Sequence, residues 1–196
     1  MKNIPSLLPG ENNTGSVRDL FFVPETNITS IGPAVDGVLP YATLAFGEAI
    51  VTFFKHEFTE GTCEYKYEKV ETIHGHYFKL SITGKLPKDY DFRPGSFADM
   101  DNIKFFVVTR DHNNRSRLHG YIDYDGVKYG MKYKEDFATG KTGASYNGYD
   151  FAFTMDSRFR PRPIEEIENI PVDPGFPFNP DPDGPGISVP IEGGST

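Results

Sequence analysis

Few residues of this chain have the types and spacing that chemistry needs. His74-Gly75-His76 places two imidazoles two residues apart, which on a strand puts both on one face, as in the start of a metal site. Zinc takes three or four ligands. His56, His112 and His119 fall in separate segments, with no cysteine pair or glutamate-rich helix to complete the set, so no metal is expected. The run from Asn179 through Asp181 and Asp183 to Gly184 carries the first, third and fifth oxygens and the sixth-position glycine of a calcium loop. Its twelfth position is Pro190 instead of Glu, and Pro180, Pro182 and Pro185 oppose the winding such a loop requires. Thr139-Gly140-Lys141-Thr142 holds the end of a phosphate-loop motif, but the first glycine of that motif would fall at Glu135. No G-x-S-x-G elbow exposes a serine, so a Ser/His/Asp set would have to come from distant loops. Glu165-Glu166 reads as solvated charge rather than an acid–base pair. The single cysteine, Cys63, cannot form an intramolecular disulfide and reads as a small apolar filler. The expectation is no enzyme, no cofactor and no catalytic residue.

The elements that would position any site are strands. Residues 103–111 form an apolar run rich in aromatic and β-branched side chains, followed by His112-Asn113-Asn114 as a turn and by an alternating return strand over 115–122. A turn at Asp125-Gly126 leads to a strand over 127–133, then to a looser stretch from Lys134 to Gly143. Tyr149, Phe151, Phe153 and Met155 fall on one face at period two. Together these predict a four-strand meander that supplies the core. Upstream, 19–24 reads as a strand ended by Pro24, with a short extended piece over 27–31. The stretch 39–46 is ambiguous between strand and irregular chain, and 49–55 is a strand. Residues 62–70 alternate Cys63, Tyr65 and Tyr67 with charges, which predicts one wet face. Residues 76–83 put Phe78, Leu80 and Ile82 on one face, and Leu86-Pro87 ends that strand. The pattern over 92–102, with Ser96 as N-cap and Phe97 and Met100 three apart, predicts one short helix.

Composition bounds the class. The chain has 196 residues, 17 Phe, 11 Tyr, 20 Gly and 16 Pro, which suits one β domain with an aromatic core and many turns. A net charge of -8 argues against a general nucleic-acid binder, although Arg115 with Arg117, and Arg158 with Arg160 and Arg162, form small basic groups. No 18-residue apolar run is present to span a membrane, and the first residues lack the pattern of a secretory signal.

The ends differ from the middle. Residues 1–17 carry no strand or helix periodicity, and Ile4, Leu7 and Leu8 are their apolar anchors. Nine of the 16 prolines lie at or after Pro161, a density that excludes a helix or central strand and favours extended, partly polyproline II chain. The expected division is an N-terminal arm over 1–17, a β-sandwich or barrel over 18–163 and a Pro/Gly-rich extension over 164–196. Arms of this kind reach neighbours in symmetric assemblies. Ile4, Leu7, Leu8, Phe176, Phe178, Ile187 and Val189 are the candidate assembly contacts.

Residues 19–23, 76–87 and 105–120, with the later Thr139-Gly140 and Asn147-Gly148-Tyr149-Asp150-Phe151-Ala152-Phe153, carry a resemblance. Over roughly residues 17–163 the chain resembles phage tail-tube-like and tail-ring structural proteins of the Bacteroides-phage type. The resemblance implies a mainly β, tail-tube-like antiparallel sandwich or barrel and a homo-oligomeric ring, expected to be six- or twelve-fold. It further implies a place in the virion tail or neck after assembly in the host cytoplasm, other tail or neck proteins as neighbours, and DNA passing through the lumen without sequence-specific contact. The long extension after residue 163 departs from that pattern and leaves a neck, ring or collar position open. The competing reading is a monomeric, non-enzymatic ligand- or carbohydrate-binding β-barrel, with Tyr65, Tyr67, Tyr77, Tyr121, Tyr124, Tyr129 and Tyr133 as a sugar platform. Against it stand the absence of Trp and the presence of two arms.

Overall fold

A computed structural model describes residues 15–40, 44–46, 53–58, 60–87, 100–138 and 148–165. The chain is mainly β. Its organising strands are β1 (Val17–Pro24) and β7 (Lys104–Asp111), which pair antiparallel along most of their length. Both read as near-continuous apolar runs because both faces are covered. Leu20, Phe22, Phe105 and Val107 point into one core, while Phe21, Val23, Phe106 and Val108 point into a second.

Three strands extend this layer. β4 (Phe54–Glu57) pairs with β1, β8 (Ser116–His119) with β7, and β13 (Arg162–Ile164) with β8. The first core is closed from the other side by β5 (Cys63–Thr72), β6 (Gly75–Pro87), β12 (Gly148–Ser157) and β11 (Met131–Ala138), hydrogen-bonded in that order. Cys63, Leu80, Ile82, Phe151 and Phe153 of these strands are buried in it. Phe22 ties the two layers together, with its ring 5.4 Å from Phe54, 5.6 Å from Phe105 and 5.5 Å from Phe153. Such tilted and edge-on aromatic pairs add about 0.5–1.5 kcal/mol each beyond their burial. The second core is covered by a two-stranded piece, β2 (Ile28–Ile31) with β3 (Leu44–Phe46), and by Leu39, Phe53, Leu118 and Ile164. Leu39 bridges Ile164 in parallel, with Leu39 N donating to Pro163 O at 2.9 Å and Glu165 N to Leu39 O at 3.0 Å.

The four-strand meander expected over 103–156 is corrected. β8 and β11 lie on the same edge of β7, with β8 opposite residues 107–110 and β11 opposite 104–105. Two glycines route the chain between them. Gly120, at φ 116°, turns it out of β8, and a Cβ there would lie 2.6 Å from the Phe106 ring. The excursion forms a separate hairpin, β9 (Tyr121–Ile122) with β10 (Lys128–Tyr129). Gly130 then returns the chain so close to Phe105 that a Cβ would meet its backbone at 3.0 Å. The single return strand expected over 115–122 is therefore broken in two, as is the strand expected over 127–133. The looser stretch expected from Lys134 is strand as far as Ala138, paired residue for residue with β12.

Other expectations stand as read. Pro24 ends β1, and a 3-10 turn at Glu25–Asn27 follows. Asn114 takes a left-handed φ of 59° in the β7–β8 turn. Tyr149, Phe151 and Phe153 are buried and Met155 is half-buried. β1 starts at Val17 and β13 ends at Ile164, so each takes in one residue that the sequence assigns to an arm. In 49–55, the described residues begin at Phe53. The helix expected over 92–102 lies outside the described residues up to the buried Met100, as do the Thr139–Thr142 loop and the Asn179–Gly184 run.

Phe153, 1% exposed, and Phe151, 3% exposed, sit at the centre of the first core. Phe153→Ala and Phe151→Ala should each destabilise by about 3–5 kcal/mol. Gly120→Ala should lose at least about 1 kcal/mol through its backbone conformation alone. Urea midpoints check all three, and unchanged midpoints for the phenylalanine variants would show that this face is not core.

Candidate functional site

Buried polar groups are few among the described residues; Asp19 and Thr109 are hydrogen-bonded, whereas Ser116 Oγ and His119 Nδ1 are buried without a hydrogen-bond partner. Asp19, on the apolar strand β1, is 2% exposed. Burial pushes its carboxyl pKa up, but hydrogen bonds from Arg110 (2.6 Å) and Arg18 (3.0 Å) and the charge of Lys55 (3.5 Å) outweigh that and hold it below 3.8. Lys55 also pairs with Glu57. This cluster closes the rim where β1, β4 and β7 meet, and its cations face carboxylates already in place.

His119, on β8 opposite Val107, faces the first core and is 1% exposed. Its Nε2 is 2.9 Å from the Thr109 hydroxyl, and its ring lies 5.4 Å from that of Tyr65. Burial, and then the charge of Arg117, push its pKa down to about 3, so the imidazole is neutral. Arg117 lies over the Tyr65 ring at 5.8 Å. Among the described residues no carboxylate hydrogen-bonds His119, whose Nδ1 has no partner, so the described contact is a buried histidine–threonine pair.

The candidate metal pair is not assembled into a site. His74 lies in the β5–β6 turn and His76 on β6, both exposed, while His56 is buried on β4 and His112 sits in the β7–β8 turn. Among the described residues, no three His, Cys, Asp or Glu side chains gather to hold an ion. Cys63 is buried as a free thiol whose pKa burial and the adjacent Glu64 push up, which removes its nucleophilic form. Glu165 is exposed. The proposed sugar platform is dispersed. Tyr65 and Tyr133 pack against the first core, Tyr121 stacks on Tyr129 at 4.5 Å, and Tyr124 stands 92% exposed at a hairpin tip.

Two surface features remain. The outward face of β5, β6, β12 and β11 carries shallow clefts of about 690 and 640 Å³. Five lysines (66, 79, 85, 132, 134) and five carboxylates (Glu64, Glu68, Asp136, Asp150, Asp156) ring a small-residue centre of Ser81, Thr83, Ala152 and Thr154. That balance gives no continuous basic track for phosphates. The second feature is the β5–β6 hairpin. Among the described residues, β12 pairs with β6 only from Phe78 onward, so the hairpin tip from residue 70 to residue 77 projects past the sheet. Ile73 at its end is 95% exposed.

The candidate assembly contacts Ile4, Leu7, Leu8, Phe176, Phe178, Ile187 and Val189 lie outside the described residues. The burial of Asp19 and His119 does not follow from their strand patterns. One signal was present for Asp19: a carboxylate in one apolar strand and an arginine, Arg110, in another mark two strands that pair. No family model matches the chain, and no curated protein and no solved structure matches it.

The buried imidazole sets a pH dependence. Folded His119 stays neutral while an unfolded histidine protonates near 6.5, so the unfolded state binds the extra proton and stability falls as pH drops below 6.5. The slope approaches about 1.4 kcal/mol per pH unit. The Asp19 contribution is lost only below 3.8, a separate window. Urea midpoints between pH 7 and 4.5 should fall less for His119→Gln than for the unaltered chain, and parallel profiles would contradict this. A chelator should leave the midpoint unchanged, and the purified protein should carry no stoichiometric zinc or calcium.

Proposed function

We propose that the protein is a non-enzymatic assembly subunit, a virion structural protein that forms a homo-oligomeric ring or tube in a phage tail or neck. The observation that carries the reading is the projecting β5–β6 hairpin. Beyond the last rung shared with β12, this hairpin runs on for eight residues with Ile73 bare at the tip. Exposed strand edges and apolar tips are where another chain pairs or packs. Along β5, whose outer edge pairs with no described strand, Glu64, Lys66, Glu68, Lys69 and Glu71 alternate in sign, which blocks indiscriminate edge pairing while permitting a registered partner. The mainly β fold and the likeness of its hairpins to tail-tube-like and tail-ring proteins support the same reading. In it, the Pro/Gly-rich extension is an arm that docks on a neighbour, and other tail or neck proteins stack on the ring.

Native mass spectrometry of the full chain should give a closed multiple of 22.0 kDa, expected at six or twelve copies. Deletion after Ile170 should leave cooperative unfolding intact and weaken assembly. A monomer at every concentration would contradict the subunit reading. Loss of folding in the truncated chain would place the extension in the domain's own core.

A further inference from the structure

The stretch from the end of β12 into the start of β13 carries three arginines in five residues, Arg158, Arg160 and Arg162. Among the described residues none of them forms an ion pair, whereas the arginines of the Asp19 cluster do. They surround aromatic surface. Phe159, 46% exposed, packs edge-on against Tyr121 at 5.2 Å, and Tyr121 in turn stacks flat on Tyr129. Arg162 lies over the Phe159 ring at 5.3 Å, and Arg160 over the Phe78 ring at 5.5 Å. Asp123, whose charge acts on Tyr121, holds its own turn through one carboxylate oxygen, accepting from Asp125 N at 3.0 Å and Val127 N at 2.9 Å. The result is an exposed cationic–aromatic patch on a chain of net charge -8.

The sequence contains one segment of complementary chemistry. Residues 166–196 carry six carboxylates and no Lys or Arg. Asp173, Asp181 and Asp183 in that segment alternate with prolines and flank Phe176 and Phe178. Guanidinium groups bind carboxylates as two-pronged donors. Aromatic surfaces accept proline-rich chain in its preformed extended conformation. We infer that the Arg158/Arg160/Arg162 patch with Phe159 is the docking surface for the acidic, proline-rich C-terminal extension of a second copy of this chain. This rests on the assembly reading above.

A second copy fits better than the chain's own extension. The exit is fixed by the Leu39–Glu165 hydrogen bond at 3.0 Å, three residues beyond Arg162. Proline-rich chain is stiff over several residues and extends about 3.1 Å per residue. Such chain disfavours the tight reversal that docking on its own patch would need, which favours the same patch on a neighbour.

The test uses the full chain in four forms: unaltered, Arg158→Glu/Arg160→Glu/Arg162→Glu, Asp173→Lys/Asp181→Lys/Asp183→Lys, and the two sets combined. Sedimentation measures association, and thermal unfolding confirms folding. Each reversed set should weaken association about tenfold or more, and the combination should restore it, with the loss shrinking at high salt. An unchanged association on reversing the arginines, or no rescue in the combined form, overturns the inference while leaving assembly standing. A monomeric unaltered chain overturns both. A lower unfolding temperature with unchanged association assigns the contact to the chain's own extension and overturns it. So does a patch variant that loses binding to single-stranded DNA while association is intact.

Discussion

The β1–β7 pair is the constraint on which the rest of the structure depends. Both strands are buried on both faces, so every residue from Leu20 to Val23 and from Phe105 to Val108 is assigned to one of two cores. A slip of one residue would exchange the two sets and drive Asp19 toward the wrong core. The ion pairs of Asp19 with Arg110 on β7 and Lys55 on β4 therefore fix register as well as charge. β4, β8 and β13 extend this layer, while β5, β6, β11 and β12 cover one side and β2, β3 and Ile164 the other. The glycines at 120 and 130 matter because they let the chain leave β7's edge and return to it without adding side chains to a crowded place.

This explains what was legible in the sequence. Strands with one wet face declared themselves by alternation, so β6 and β12 were read with their inward residues correct. The run from Asp19 to Pro24 was read as a strand, but its two-sided burial was not, because a continuous apolar run carries no face information. The meander failed for a related reason. Periodicity identifies strands locally, whereas the sharing of β7's edge between β8 and β11 is set by non-local packing around Phe105 and Phe106. β5 was read as cleanly alternating. Its outer half is largely exposed on both faces, with Tyr67 44% exposed although it lies opposite the buried Leu80. His119 gave no warning at all, since a histidine ending a short polar-alternating strand has the same pattern whether its neighbours cover it or not.

The chemistry of the domain points outward. Inside, the acid is matched by its bases, the histidine is held neutral and the thiol is suppressed. On the broad outer sheet the charges balance. Among the described residues, the hairpin tip around Ile73 and the arginines around Phe159 stand exposed where the sheet or the chain leaves the body. Those are the contacts that the proposed assembly role would use.

Electron microscopy of the purified full-length protein tests that account most directly. It predicts uniform closed rings with one rotational symmetry, each ring built from whole copies of the 22.0 kDa chain. Fields without ring-shaped particles, from a preparation that sediments throughout as single chains, would contradict it.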